Sequence, residues 1–555
     1  MQKAWLVAFV LTAGVLAGCT GSKSGGTDPA ATHGPDLTVL SPAKYAIKDP
    51  EEVWIPSGVD GKRLNNAVYR PDTTEKVPVF INFSPYHGDQ AMTRDDNFAK
   101  YMISEYVPRG YAVVLSSVRG TGHSEGCFQV GGDLELKDSR DVVDFFSKQS
   151  WSTGSIGAGG KSYDSTTQNG LVAKFPHPAL KTLFHVSGIT DMYRYNGKDG
   201  VTYTNGLSFT PRYAVGEGTE EYGSPAGVGS GGSEDEDAQS LARLIDDVGC
   251  PELAKHVQSG EGTAASGIKD TYWQERDWTR YLPQSEWKGS IFFVHGLQDW
   301  NVKPDHIDPW VDIVQQKGLQ VKGWLHQETG NGGHLYPMRT DWNVTMLRWL
   351  DHYLKGIGTG IDRELGFDVM GSDKVWRHSA AWPPASQETV VPGVSSGAAA
   401  TPLFTLTLPN ATSTIRLSGV PHAKVTVVPA SPDPILHLNL YDVGDGNRTW
   451  VNEAVKRPAL KDDLSGPSAY TPGLPTTFDL LFFPMDRELR PGHHLEVTTG
   501  FDSATETSTG TNADFVYTPS QNGATVYQKV DLHLPVVAPG GELSPQPVRM
   551  TCFAC

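Results

Sequence analysis

Five cysteines in 555 residues are too few and too scattered to build a disulfide scaffold, which excludes the bridge-stapled architectures of small secreted domains. The chain also lacks any dense run of lysine and arginine, and its formal net charge is −17 at pH 7. Nucleic-acid binding needs a concentrated basic surface, so no partner of that class is expected. Beyond Leu16 no apolar stretch approaches the ~20 residues that span a bilayer as a helix. Helical patterning itself nearly vanishes after Gly356. What remains is ordinary globular composition, 38% hydrophobic, 10% aromatic and 20% charged, which excludes wholesale disorder. At roughly 100–200 residues per domain, the length predicts two or three compact units.

The first nineteen residues are the most legible. Met1, Gln2 and Lys3 give a short cationic start, and Ala4 to Leu16 is apolar and uncharged. That is the pattern of a signal peptide. It ends in Leu16-Ala17-Gly18-Cys19, which resembles the bacterial lipobox, where the cysteine is acylated and becomes the new N-terminus. Cys19 is therefore the expected lipid-bearing residue, and residues 20–45, opening with the Thr/Gly/Ser-rich run to Thr32, form a flexible tether. The expected location is the outer face of a bacterial cell membrane, held there by the N-terminal lipid. Export permits individual bridges among Cys127, Cys250, Cys552 and Cys555. The terminal Cys552-Phe553-Ala554-Cys555 has metal-site spacing, but such a site needs two further ligands and none lies nearby, so no metal is expected there.

From Val53 onward the text turns strand-like. Arg63 to Tyr69 alternates, Val77 to Phe83 and Tyr111 to Ser116 are β-rich, and helical stretches such as Asn97 to Tyr106 and Leu136 to Gln149 lie between and after them. Strands alternating with helices predict a parallel, doubly wound α/β sheet. From about 190 to 289 the pattern changes to an inserted, mainly helical segment that contains the Gly/Ser/acidic stretch Gly227 to Asp237. Ser290 to His295 then resumes the sheet, and Trp342 to Leu354 supplies an amphipathic closing helix. The first domain is thus expected over 46–360. Short alternating runs separated by Pro and Gly, such as Leu403 to Leu408, Ile435 to Tyr441 and Leu495 to Thr499, predict an all-β jelly roll over 361–555.

One segment carries the chemistry. Ile156-Gly157-Ala158-Gly159-Gly160-Lys161-Ser162-Tyr163-Asp164-Ser165 follows an expected strand and precedes a helical run to Lys174. Glycine at 160 lets two backbone segments pass closely, so that Ser162 can occupy a strained strand-to-helix turn that lifts its hydroxyl out of the sheet. The amide of Tyr163 then stands at a helix N-terminus, where a developing oxyanion is stabilised. A serine hydroxyl needs a base, and the base needs an orienting group. In α/β hydrolases these follow in the order Ser, acid, His. The strand Ile291 to His295 runs into Gly296-Leu297-Gln298-Asp299, which puts a carboxylate just past a strand end, and Gly332-Gly333-His334 offers an imidazole downstream. His295, His306 and His326 are rivals for the base.

At this point a family resemblance becomes specific. Gly160-Lys161-Ser162-Tyr163, Trp273-Gln274-Glu275-Arg276-Asp277-Trp278 and His295-Gly296-Leu297-Gln298-Asp299-Trp300-Asn301-Val302-Lys303-Pro304 resemble the Xaa-Pro dipeptidyl-peptidase family. Its wider group includes the cocaine-esterase-like and α-amino-acid ester hydrolases. Arg119-Gly120-Thr121-Gly122-His123-Ser124-Glu125-Gly126 and Phe367-Asp368-Val369-Met370-Gly371, with Trp376 and Trp382, extend the likeness from about residue 50 toward the C-terminus. The resemblance implies an α/β hydrolase with an inserted cap and a C-terminal jelly roll, no cofactor, and an oxyanion hole that adds the Tyr86 hydroxyl to the amide of Tyr163. Two positions depart from the family: Ser165 stands where relatives usually carry glycine, and Val118 where an aspartate often precedes the arginine.

The resemblance implies a peptidase that takes a free N-terminal dipeptide with proline second; a carboxylic-ester or amide hydrolase with the same triad is the alternative. The peptidase must neutralise a substrate ammonium, for which Asp191, Asp199, Glu217, Glu220 and Glu221 are candidates. A third reading, an inactive hydrolase scaffold whose jelly roll engages carbohydrate, is opposed by the complete serine, acid and histidine set.

Overall fold

A computed structural model describes residues 37–87, 91–92, 99–203, 267–327, 333–334, 339–394, 405–407, 410–429, 431–468, 470–499 and 526–537. Cys19, Glu217, Glu220, Glu221, the stretch Gly227 to Asp237, most of the inserted segment, and Cys250, Cys552 and Cys555 lie outside the described residues. Cys127 is disulfide-bonded.

The first part of the chain forms β1 (Glu51–Pro56), β2 (Arg63–Tyr69), β3 (Val77–Ser84), α1 (Ala99–Tyr106), β4 (Ala112–Ser117), α2 (Asp133–Ser147), β5 (Ser152–Lys161), α3 (Tyr163–Lys174) and β6 (Leu180–Val186). The described ends of the insertion hold α4 (Met192–Asn196), the hairpin β7 (Gly197–Lys198) and β8 (Val201–Thr202), and α5 (Thr271–Glu275). The chain then continues through β9 (Ser290–Gly296), α6 (Ile307–Gln316), β10 (Val321–His326), α7 (Trp342–Lys355), β11 (Gly366–Met370) and β12 (Trp376–Ser379).

Ten of these strands form one sheet in the order β1-β2-β4-β3-β5-β6-β9-β10-β11-β12. From β4 to β11 every pairing is parallel, and the edges are antiparallel. A parallel sheet covered by helices on both faces must be apolar on both, so its strands read as hydrophobic runs without clean alternation. All eight residues of β3 are buried. Its neighbours Phe80 and Ile81 point to opposite faces. Ile81 joins a core with Leu136, Val143, Leu171, Phe293 and Trp310, under α2, α3 and α6. Phe80 joins another with Met102, Tyr106, Phe292, Trp324 and Trp349, under α1 and α7. The expected α/β hydrolase sheet is present, and α7 ends at Gly356 in the left-handed conformation (φ 71°). β11 and β12, assigned by sequence to the second domain, complete the central sheet, β11 pairing with β10 and β12 with β11.

Beyond them the chain is all β: β13 (Ser386–Val394), β14 (Thr405–Thr407), β15 (Ile415–Gly419), β16 (His422–Val428), β17 (Leu436–Gly444), β18 (Asn447–Lys456), β19 (Thr476–Leu481), β20 (Met485–Leu489), β21 (His494–Thr499) and β22 (Val526–Val537). One sheet runs β19-β16-β22-β15-β20 with β13 added on β22, and the other β14-β21-β17-β18. Alternate residues such as Ala423, Val425 and Val427 meet Leu438, Leu440 and Val497 in a common core. This is the expected antiparallel sandwich.

The two parts interlock beside the carboxyl edge of the central sheet. Trp300 is buried against Trp450 and Phe483, at ring centroid distances of 5.0 and 5.4 Å. Gln327, at the end of β10, donates to the carbonyls of Asp486 (2.6 Å) and Met370 (2.9 Å).

Candidate active site

Ser162 sits between β5 and α3 with φ 62° and ψ −127°, a conformation that L-residues avoid unless the surroundings enforce it. The enforcement is steric. A Cβ on Gly160 would lie 2.3 Å from Asp164 Cβ and 2.6 Å from Asn82 Nδ2, and one on Gly159 would lie 2.5 Å from Phe184 Cβ. Only glycine lets the strand and the helix approach this closely. The Ser162 amide donates to the Val186 carbonyl (2.9 Å), which fixes the turn against β6.

The helix that follows is unusual in being polar and buried. Asp164 through Asn169 are all inside the protein, so their polar atoms need partners within it. Ser165 Oγ donates to the Gly160 carbonyl and accepts from the Val186 amide (2.9 Å), bridging the turn to β6. Thr166 Oγ1 donates to the Ser162 carbonyl (3.0 Å) and accepts from the Ile189 amide (3.0 Å). Gln168 and Asn169 donate to the carbonyls of Phe184 (2.5 Å) and Ile189 (2.9 Å). The departure at Ser165 therefore ties the elbow to the neighbouring strand.

Asp299 follows β9 and is fully buried. Its Oδ1 accepts from the amides of Asn301 (3.0 Å) and Val302 (2.9 Å), and its Oδ2 faces His334 Nδ1 at 2.8 Å. Burial alone would raise the carboxyl's pKa. The charge and hydrogen bond of His334 outweigh that and hold it below its ordinary value. Against an ionised carboxylate Nδ1 carries the proton, which leaves Nε2 of a neutral ring as the acceptor. Glycines again permit the approach: a Cβ on Gly296 would lie 2.4 Å from the Gly333 carbonyl oxygen, and Gly333 has φ 86°. Asp299 and His334 are thus brought together, and Ser162 emerges at the same carboxyl edge of the sheet. Among the described residues no hydrogen bond joins the Ser162 hydroxyl to His334; such bonds are commonly long before substrate binds.

The rival histidines have structural surroundings. His295 is buried with Nε2 2.8 Å from the Val302 carbonyl, and its Nε2 lies 3.9 Å from Asp299 Oδ2. His306 Nδ1 faces Thr190. Burial lowers the pKa of both rings. His326 is buried within β10.

Tyr163 is buried at the N-terminus of α3, and its hydroxyl donates to Glu135 (3.0 and 3.1 Å). Burial, then the charge of Glu135 and its hydrogen bond, with Tyr86 and Tyr272 nearby, raise the Tyr163 phenol well above its ordinary range. Tyr86 is 41% exposed, and its amide donates to Ser84 Oγ (3.0 Å). Glu135 is the residue that sequence reasoning missed. It is completely buried and also accepts from the Gly131 amide (2.9 Å) and Thr167 Oγ1 (3.0 Å). Its position in the first turn of α2 was the available signal, and there it reads as an ordinary helix-start acid.

Val118 leaves Arg119 without an adjacent aspartate, and the protein supplies the charge from elsewhere: Asp138 at 2.6 Å and Asp60 at 3.2 Å. Asp191 caps α4 and is already paired with Lys269 at 2.6 Å. Asp199 lies in the β7–β8 turn with φ 47°.

Comparison with known proteins identifies the family and the fold. The profile of the X-Pro dipeptidyl-peptidase (S15 family) matches residues 60–336, and that of the X-Pro dipeptidyl-peptidase C-terminal non-catalytic domain matches residues 401–500. The chain belongs to the Xaa-Pro dipeptidyl-peptidase family. Relatives provisionally named Xaa-Pro dipeptidyl-peptidase in Bacillus anthracis and Bacillus cereus are 30% and 27% identical, over 60% and 80% of this chain. The alignments span 57% and 84% of those relatives' own lengths. A solved α-amino-acid ester hydrolase superposes with a TM-score of 0.65 at 18% identity, covering 92% of this chain and 100% of its own. A CocE/NonD family hydrolase from Staphylococcus aureus gives 0.65 at 17%, covering 89% and 93%. At such identities the likeness establishes the α/β-hydrolase fold of the family.

Ser165→Ala should leave the Val186 amide buried without its acceptor and lower the free energy of unfolding by about 1–3 kcal/mol. Chemical denaturation of the two proteins, followed by far-UV circular dichroism, reads the difference; equal midpoints would mean the hydroxyl contributes nothing to the elbow.

Proposed function

We propose that this protein is a serine peptidase that releases N-terminal Xaa-Pro dipeptides through an acyl-enzyme. The observation that carries the reading is the buried 2.8 Å contact of Asp299 with His334 at the sheet edge where the Ser162 turn opens. His334 Nε2 takes the Ser162 proton as the hydroxyl attacks the carbonyl carbon of the proline itself, then returns it to the leaving amine of the next residue. Water repeats the sequence to free the dipeptide. Asp299 holds the ring in the required tautomer and stabilises the imidazolium. The amide of Tyr163 and the hydroxyl of Tyr86 face the oxyanion, and the buried grip of Glu135 on Tyr163 fixes where that amide points.

One observation favours the second reading, a carboxylic-ester or amide hydrolase with the same triad. Asp191, a candidate for the substrate ammonium, already holds Lys269 at 2.6 Å and lies 3.6 Å from Arg194. A substrate amine would have to displace a cation there.

We also propose that Cys19 carries the lipid that anchors the protein outside the cell. Cys19→Ser should move the protein from the membrane fraction to the soluble fraction, and mass spectrometry showing an unacylated mature N-terminus on the wild-type protein would refute the anchor.

A fluorophosphonate probe should label wild-type protein at Ser162. Ser162→Ala and His334→Ala should each abolish nearly all turnover, and Asp299→Asn should reduce kcat by about 10⁴-fold. Tyr86→Phe should lose roughly 10²–10³-fold, mainly in kcat. Labelling at another serine would overturn the assignment, and an effect of Tyr86→Phe confined to KM would make it a substrate contact.

For specificity, a peptide with a free N-terminus and proline second should be cleaved after that proline, and its N-acetylated form should resist by ~2–5 kcal/mol of transition-state energy, because acetylation removes the charge that a pocket carboxylate pairs. Equal cleavage of both peptides, or turnover of acyl esters alone, would move the protein to the esterase reading.

A further inference from the structure

The larger sheet of the β-sandwich gathers three metal-ligating side chains on its outer face. β22 lies between β13 and β16. His422 on β16 stands directly opposite His533 on β22, and on the other side His533 faces Val390, two residues from Glu388 on β13. The two-residue repeat of a strand therefore sends His422, His533 and Glu388 to one face. Their inward neighbours Ala423, Leu532 and Leu534 belong to the core, so that face is the outer one.

The donor atoms of the three side chains all lie within 4.8 Å of one another. The imidazole centroids are 4.2 Å apart, and His533 Nδ1 contacts Glu388 Oε1. His422 Nε2 is buried and has no hydrogen-bond partner among the described residues. Such an atom is costly to leave alone. Burial, then the neighbouring His533, lower the pKa of His422, and the neutral ring is the form that ligates. Tetrahedral zinc, with bonds of about 2.0–2.2 Å, sets its ligand atoms roughly 3.3 Å apart. The donor atoms, all within 4.8 Å of one another, are spaced on that scale.

We propose that Glu388, His422 and His533 form a binding site for a divalent transition-metal ion of the zinc class, clipping β13 to β22 and β16. Two imidazoles and one carboxylate are the donor set of three-ligand zinc sites, whose fourth position is left to water. β13 is the first strand after the central sheet and β22 the last described strand, so the ion would bind three strands far apart in sequence into one unit. The site is independent of the triad, and its occupancy does not alter the hydrolytic reading.

The test is zinc titration of full-length protein stripped with a chelator, by isothermal calorimetry or competition with a chromophoric zinc indicator. The wild-type protein should bind one more equivalent than His422→Ala/His533→Ala. Each single variant should weaken that site by more than the roughly 10–100-fold that loss of an outer-sphere partner costs. Saturating zinc should raise the melting temperature of the wild type and not of the double variant, while the fluorophosphonate labelling rate of both stays equal. All variants change outer-face positions, and circular dichroism checks that they fold. Equal zinc stoichiometry and equal melting shifts in wild type and double variant would overturn the site.

Discussion

The candidate active site depends on a steric constraint: β5, β6 and α3 approach so closely that no side chain fits at Gly159 or Gly160. Everything about Ser162 follows from that compression. A Cβ on Gly160 or Gly159 would meet Asp164 or Phe184, so glycine at those two positions is what lets the surroundings close in and hold Ser162 at its positive φ. The same closeness puts α3 inside the protein, where an apolar helix would be expected. Instead the helix carries Ser165, Thr166, Gln168 and Asn169, whose side chains satisfy backbone groups of β5, the Ser162 turn, β6 and the loop after β6, and Thr167, whose hydroxyl donates to Glu135. A buried polar set of this kind is stable only when nearly every member is paired, and it then specifies one geometry.

Much of the fold was legible in the sequence because the sheet is parallel and buried on both faces. Strands such as Val77–Ser84 and Ser290–Gly296 are nearly unbroken apolar runs, and the helices between them follow a different period. α7 matches its reading almost residue for residue, since the helix is amphipathic and a glycine stops it. The domain division was harder to read. β11 and β12 are short strands at the edge of the central sheet, and nothing in Gly366–Met370 distinguishes a strand that joins a sheet behind it from one that begins a sheet ahead.

The site was legible to a different degree at each residue. Gly160 and Gly296 mark close approach, and the short spacing of Gly296 to Asp299 puts a carboxylate at a strand end. The contact of Asp299 with His334 joins elements separated by α6 and β10, and chain order from a known fold class was needed to pair them. Glu135 shows the limit of such reading. Its role comes from a partner on another helix, Tyr163, and from total burial, and neither leaves a local pattern. Asp191 is similar: only the structure reveals that Lys269 and Arg194 already occupy its charge.

Trp300 is the residue immediately after Asp299, and its indole is clasped between Trp450 and Phe483 of the sandwich. Gln327, on the segment leading to His334, hangs from the Asp486 carbonyl of the same domain. Trp300 beside Asp299, and Gln327 at the end of the strand that precedes His334, thus rest against a different fold. The sandwich is in this sense part of the jig for the hydrolase domain: a lesion that shifted Trp450, Phe483 or Asp486 would be passed to the neighbours of Asp299 and of β10. Chimeras that exchange sandwiches between relatives would inherit the tolerance of that seam, and a loosened seam would be felt as lost turnover before any helix of the hydrolase domain melts.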